Sequence, residues 1–215
     1  MDYFTDDIAD KIVEEIGFPP DKKSRFVINP KECALIVVDM NNYFTSPESS
    51  HYLPAAKSVV SRLQDVLKKW RTLGGTVVFT RHEHTGSGDL GMFEKFFNDF
   101  IKAGTKDAEI NPLLLPLKDE KIIVKNSYDA FYNTSLDEYL KTAGITQVIV
   151  TGVLTQMCVE TTARSAFCRG FEVFVPVDLT CTTTYKTHLS SLKNLSTAVS
   201  VPVTAKEILN LCQIH

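Results

Sequence analysis

The sequence predicts an α/β fold built on a doubly wound parallel sheet, and three observations carry that expectation. Apolar runs rich in β-branched residues recur along the chain, at 33–38 (CALIVV), 76–80 (TVVFT), 121–124 (KIIV), 147–151 (QVIVT) and 172–177 (EVFVPV). Strands become apolar throughout, rather than alternating, when helices cover both faces of a sheet. Between the runs lie stretches with helical spacing, and this alternation is the pattern of parallel strands joined by crossover helices. Lastly, the runs lead into polar or reactive residues: Asp39 after the first, Lys125 after the third, Cys158 beyond the fourth. The carboxyl ends of parallel strands line the ligand crevice of such folds, so these three residues are expected on one edge of one sheet.

A chain of 215 residues with 44% hydrophobic content buries a full core, and its length suits one α/β domain better than two. A formal charge of −3 and the lack of any Lys/Arg-rich run argue against nucleic acid as a partner. No apolar run approaches membrane-spanning length, so no membrane partner is expected. The five cysteines, Cys33, Cys158, Cys168, Cys181 and Cys212, have no C-x-x-C spacing, which fits reduced thiols in a cytoplasm rather than disulfides or a zinc knuckle. The start of the chain carries Asp2, Asp6, Asp7 and Asp10 in place of a basic, apolar leader, so no signal peptide is expected. Gly86, Gly88 and Gly91 break a loop after the second strand and no P-loop occurs, which leaves nucleotide binding with little sequence support.

In chain order, Phe4, Ile8, Ile12 and Ile16 recur every four residues and predict an amphipathic helix closed by Gly17 and Pro19-Pro20. Such a helix either lies on its own domain or reaches to a partner subunit. The first strand ends at Asp39, whose carboxylate is costly if buried unpaired; it is either a crevice residue or a cap on the following turn. A loop with His51 leads to a helix over 56–73, stopped by Gly74-Gly75. The second strand is followed by Arg81-His82-Glu83-His84. His82 and His84 point to one side of an extended chain and are candidate metal ligands, with Asp89 or His51 as a third donor. Phe93, Phe96, Phe97, Phe100 and Ile101 follow at helical spacing, as packing for the core, a subunit contact or a pocket wall.

The third strand ends at Lys125. Lysine is rarely buried, so it either faces a paired charge in the crevice or reaches into solvent. Next to it, Tyr128 and Phe131, with Phe44 from the first strand's loop, are candidate substrate-binding residues. A helix over 136–143 is capped by Ser135 and closed by Gly144. The fourth run stops at Thr151-Gly152, and from Cys158 the pattern turns helical up to Gly170. A thiol where a strand feeds a helix N-terminus is either a small buried apolar residue or a nucleophile whose pKa is lowered by the helix end. A fifth strand, a helix over 186–197, a short strand near 199–203 and a helix over 205–212 complete the pattern. Cys33, Cys168, Cys181 and Cys212 are read as structural.

Three motifs, LIVVDMNNYF with Asp39, IIVKNSYDAF with Lys125 and TGVLTQMCVETTARSAFCRGF with Cys158, resemble the isochorismatase-like superfamily of cysteine hydrolases. That group includes nicotinamidases and N-carbamoylsarcosine amidohydrolases. The resemblance covers roughly 33–184 and is most specific in the last motif. It implies a three-layer, Rossmann-like α/β/α fold with a six-stranded, mostly parallel sheet; together with the helix read at the start of the chain, the expected division is an N-terminal helical extension over 1–28 and a hydrolase domain over 29–215. It also implies a catalytic triad of Asp39, Lys125 and Cys158, a cis peptide between Val153 and Leu154, an oxyanion hole formed by the N–H groups of Leu154 and Cys158, and a homo-oligomer.

The function so implied is hydrolysis of a C–N bond in a small amide, carbamoyl or ureido compound through a thioester, with no cofactor. Nicotinamidases carry a metal-binding Asp-x-His after the second strand; His82-x-His84 stands there in this chain, so metal dependence is not implied. The family often has Gln at the place of Asn41 and Ser at that of Asp129. Two alternatives stand: a vinyl-ether hydrolase of the isochorismatase type that uses Asp39 without the cysteine, and a non-catalytic binding protein on the same fold.

Overall fold

The computed structural model describes residues 3–5 and 7–211. Its strands are β1 (Cys33–Val38), β2 (Thr76–His82), β3 (Lys121–Lys125), β4 (Gln147–Val153), β5 (Glu172–Pro176), β6 (Thr180–Cys181) and β7 (Val201–Val203). Six follow the order β3-β2-β1-β4-β5-β7, and the two-residue β6 pairs with the end of β4. Every pairing is parallel. The helices are α1 (Ile8–Ile16), α2 (Pro20–Lys23), α3 (Asn42–Thr45), α4 (Ala56–Thr72), α5 (Phe93–Phe96), α6 (Leu136–Thr142), α7 (Glu160–Cys168), α8 (Tyr185–Ala198) and α9 (Ala205–Leu209). Cys212, which the sequence includes in the last helix, lies outside the described residues, as do Asp2 and Asp6.

The pleat sorts β1 into two cores. Cys33, Leu35 and Val37 pack with Leu63, Leu67 and Trp70 of α4 and Ile208 of α9 on one face. Ala34, Ile36 and Val38 pack with Leu136 and Leu140 of α6, Ala163 of α7 and Leu195 of α8 on the other. This two-sided covering is why the run is apolar at every position. Helix α1 joins the second core through Ile8 and Ile12, and the Tyr185 hydroxyl donates to its Glu15, so the helix lies on its own chain.

Several elements differ in extent from the sequence expectation. Strand β2 runs on to His82 and β3 to Lys125, which pair with each other in register. Strand β4 continues through Gly152 to Val153, because Thr180-Cys181 pairs with its end and prolongs the ladder. Gly152 has φ +99°, and a Cβ there would meet the Val38 carbonyl oxygen at 2.0 Å, so β4 approaches β1 as closely as only glycine permits. The aromatic stretch after Met92 forms a single helical turn, Phe93–Phe96, and then extends. Among the described residues, no helix is long and apolar enough to cross a membrane.

Candidate active site

Asp39 follows β1 with φ +49°, a left-handed conformation unusual for a residue with a side chain. Thr80, near the end of neighbouring β2, stabilises that turn: its hydroxyl accepts from the Asp39 backbone N–H at 3.0 Å and donates to Asp39 Oδ1 at 2.5 Å. The other carboxylate oxygen, Oδ2, is 2.6 Å from Lys125 Nζ, and both side chains are shut off from solvent. Thr80 escaped the sequence reading, although a threonine closing an apolar strand beside a strand-end aspartate was a signal for it.

Lys125 ends the edge strand β3, two strands from Asp39, and its ammonium is surrounded by acceptors. Beyond Asp39 it donates to the Ser127 carbonyl at 2.7 Å and lies 3.4 Å from both Cys158 Sγ and His82 Nδ1. Burial works against the charge on Lys125, but Asp39 and Cys158 together offset it and hold the pKa above the ordinary lysine value. Burial likewise favours a neutral Asp39, and Lys125, with His82 and Thr80, pulls that carboxyl below its ordinary value instead. The resting pair is therefore an ion pair.

Cys158 sits in a π-helical turn, Thr155–Val159, between β4 and α7, with a cis peptide between Val153 and Leu154 just ahead of it. The sequence expectation of a lowered thiol pKa is reversed. Burial, opposed by Lys125 and reinforced by Asp39, pushes the Cys158 thiol up, so sulfur rests protonated beside a carboxylate able to take the proton. The carboxylate of Asp39, a ring nitrogen of His82 and Cys158 Sγ all lie within 4.8 Å of one another. The three residues that the sequence places on one sheet edge do meet there, at the switch point formed by β1, which has β2 on one side and β4 on the other.

Donor geometry argues against a metal in this cluster. Asp39, His82 and Cys158 surround the Lys125 ammonium, which already supplies the positive charge. His82 and His84 share a contact between their Nε2 atoms at 3.0 Å, and Asp89 approaches the far nitrogen of His84 at 3.3 Å. At the His82–His84 pair two donors converge among the described residues, where protein-held transition metals generally have at least three. Burial, aided by Lys125, lowers His82 to a pKa of about 4, so it is neutral at physiological pH.

Cys158 opens into a cavity of about 560 Å³. Phe44 and Tyr128, both expected from sequence, line it, as do Tyr43, Phe93, Phe97 and Phe100. Phe131 does not: it is 4% exposed, packs against Phe171 at 6.0 Å and lies under Arg169, because its strand-to-helix turn aims it into the core. Asn41 and Asp129 serve the scaffold, Asn41 donating to the carbonyls of His82 and Ala108, Asp129 accepting from Ser165 and the Phe131 N–H. A larger surface groove, about 1060 Å³, runs past Lys57, Arg81 and Leu113 and contains none of Asp39, Lys125 and Cys158.

Residues 33–207 match the isochorismatase domain. This chain belongs to the isochorismatase family. It is 38% identical over 171 residues to Nicotinamidase 3 of Arabidopsis thaliana, a match spanning 78% of this chain and 82% of that one. It is 28% identical over 150 residues to N-carbamoylsarcosine amidase of an Arthrobacter species, covering 66% of this chain and 57% of that one. Among solved structures, a cysteine hydrolase from Pseudomonas syringae pv. phaseolicola 1448A superposes with a TM-score of 0.82 at 28% identity, over 86% of this chain and 94% of that one. The isochorismatase-family chain described here is accordingly a hydrolase, on the three-layer, parallel-sheet fold of its relatives.

Proposed function

We propose that this isochorismatase-family hydrolase cleaves the C–N bond of a small, uncharged aromatic carboxamide through a thioester on Cys158. The observation that carries the reading is the convergence of Asp39, Lys125 and Cys158 at the wall of an aromatic cavity. The similarity to a nicotinamidase supports the choice of a planar aromatic amide. Rings such as Phe93 and Tyr128, whose centroids are 4.8 Å apart, offer edge and face contacts worth about 0.5–1.5 kcal/mol each beyond area burial. No lysine or arginine is among the described residues lining this cavity, which disfavours the vinyl-ether reading, whose substrate is anionic.

Asp39 takes the proton of the Cys158 thiol as sulfur attacks the amide carbonyl, and Lys125 stabilises the charge that passes between them. The tetrahedral oxyanion accepts hydrogen bonds from the backbone N–H groups of Leu154 and Cys158, contributions of about 3–4 kcal/mol per donor. Protonated Asp39 then gives its proton to the leaving nitrogen, the C–N bond breaks, and ammonia departs. In the second half, Asp39 removes a proton from water, hydroxide adds to the thioester, and the C–S bond breaks with return of the proton to sulfur. Amide and water become carboxylic acid and ammonia. The test is an ammonia-release screen over aromatic, aliphatic, carbamoyl and ureido compounds with the native chain and Cys158→Ala. Turnover of an aromatic carboxamide that disappears in the variant supports the reading; undiminished release from Cys158→Ala refutes it.

A further inference from the structure

Helix α8 reaches the nucleophile turn through a histidine that the chemistry above leaves unused. His188 is wholly buried, and its Nε2 is 3.0 Å from the Val177 carbonyl, which can only accept. The proton is therefore on Nε2, and Nδ1 is the acceptor for the Thr155 hydroxyl at 2.8 Å. Ser191, on the same face of α8, donates its hydroxyl to the Glu160 carboxylate at 2.5 Å, and the same oxygen lies 3.3 Å from the Thr155 carbonyl. The rings of Tyr3 and Phe4 lie 5.7 and 6.0 Å from the imidazole. Burial takes the His188 pKa down to about 4, so the acceptor lone pair is available at neutral pH.

We propose that His188 is a positioning residue for the oxyanion donors, holding Thr155 by its hydroxyl and so fixing the backbone from Leu154 to Cys158. This rests on the reading of those two N–H groups as the oxyanion hole. Within the turn, the Met157 and Val159 N–H groups share one acceptor, the Leu154 carbonyl, at 3.0 and 3.3 Å. A π-helical turn has poorer intrinsic hydrogen-bond geometry than an α-helix, so side chains from outside set its orientation. Oxyanion donors must lie within about 2.7–3.1 Å of the developing charge, and a small rotation of the 154–158 backbone forfeits that contact in the transition state while leaving substrate binding intact.

The test compares Thr155→Val, which deletes the hydroxyl at constant shape, with Thr155→Ser, which keeps it, and His188→Phe with His188→Asn, whose amide oxygen can replace Nδ1. Readouts are kcat and KM for the carboxamide that the native chain hydrolyses fastest, and the rate of Cys158 alkylation by iodoacetamide, a displacement that builds no oxyanion. Thr155→Val and His188→Phe are expected to lose about tenfold or more in kcat with KM within about threefold, the pattern of an interaction made in the transition state. Alkylation stays at the native rate, and the Ser and Asn variants recover most of kcat. A native kcat in Thr155→Val, or a loss of kcat matched by an equal loss of alkylation, overturns the proposal. Failure of the oxyanion account itself looks different: a native chain that alkylates at Cys158 yet hydrolyses no carboxamide overturns both readings together.

Discussion

Lys125 Nζ lies 2.6 Å from Asp39 Oδ2, and neither side chain has any exposure to solvent. A buried ion pair contributes little net stability, yet breaking it by removing one partner costs about 3–5 kcal/mol because a buried charge is left uncompensated. Lys125→Met is therefore expected to lower stability by that amount and to abolish turnover. The double variant Asp39→Asn/Lys125→Met should regain most of the stability with none of the activity. Denaturant melts of the single and double variants check this; additive losses would contradict it.

The two shifts also set a pH profile. Asp39 is held below its ordinary 3.8 and Lys125 above its ordinary 10.5, so the functional protonation state spans the interval between. Because burial takes His82 down to about 4, this residue should add no limb near pH 6.5. The expected kcat/KM is flat from about pH 5 to 9. For stability, the depressed Asp39 pKa gives a contribution present above its unfolded value and lost as pH falls through the folded one; the raised Lys125 pKa gives one present below its unfolded value and lost as pH rises through the folded one. A histidine-like inflection in the rate profile would contradict the protonation states assigned here.

Gly152→Ala tests how tightly β4 is seated on β1. The new methyl would fall 2.0 Å from the Val38 carbonyl oxygen, next to Asp39, at φ +99°. Overpacking and backbone strain together should cost about 2–4 kcal/mol and carry the Asp39 turn away from Thr80. A melt at the native midpoint with native turnover would show that the strands separate freely.

The aromatic residues divide into wall and core. Phe93→Ala should raise KM for an aromatic amide several-fold with little change in melting, since Phe93 lines the cavity. Phe131→Ala should do the reverse, losing about 3–5 kcal/mol with KM held, as expected for a ring packed on Phe171. Steady-state kinetics beside thermal melts separates the two.

The fold was legible because each strand carries its environment in its composition: a run such as 33–38 is apolar at every position only where both faces are covered. Asp39, Lys125 and Cys158 were legible because buried charge or nucleophile at a strand end conflicts with packing and so calls for a function. Thr155 and His188 were not, since a threonine in a turn and a histidine in a helix are ordinary at their own positions, and their meaning lies in each other, 33 residues apart. Phe131 misled for a related reason: adjacency to Lys125 in sequence says nothing about which way a turn aims a ring. The thiol pKa was misjudged because a helix end is visible in sequence, whereas burial beside Asp39 is not.

Rapid-quench intact-mass measurement during turnover tests the central chemistry most directly. With an aromatic carboxamide, the expected result is a transient mass gain equal to the acyl group less one hydrogen, confined by peptide mapping to Cys158 and absent in Cys158→Ala. Steady turnover with unmodified Cys158 at every quench time, persisting in Cys158→Ala, would contradict it.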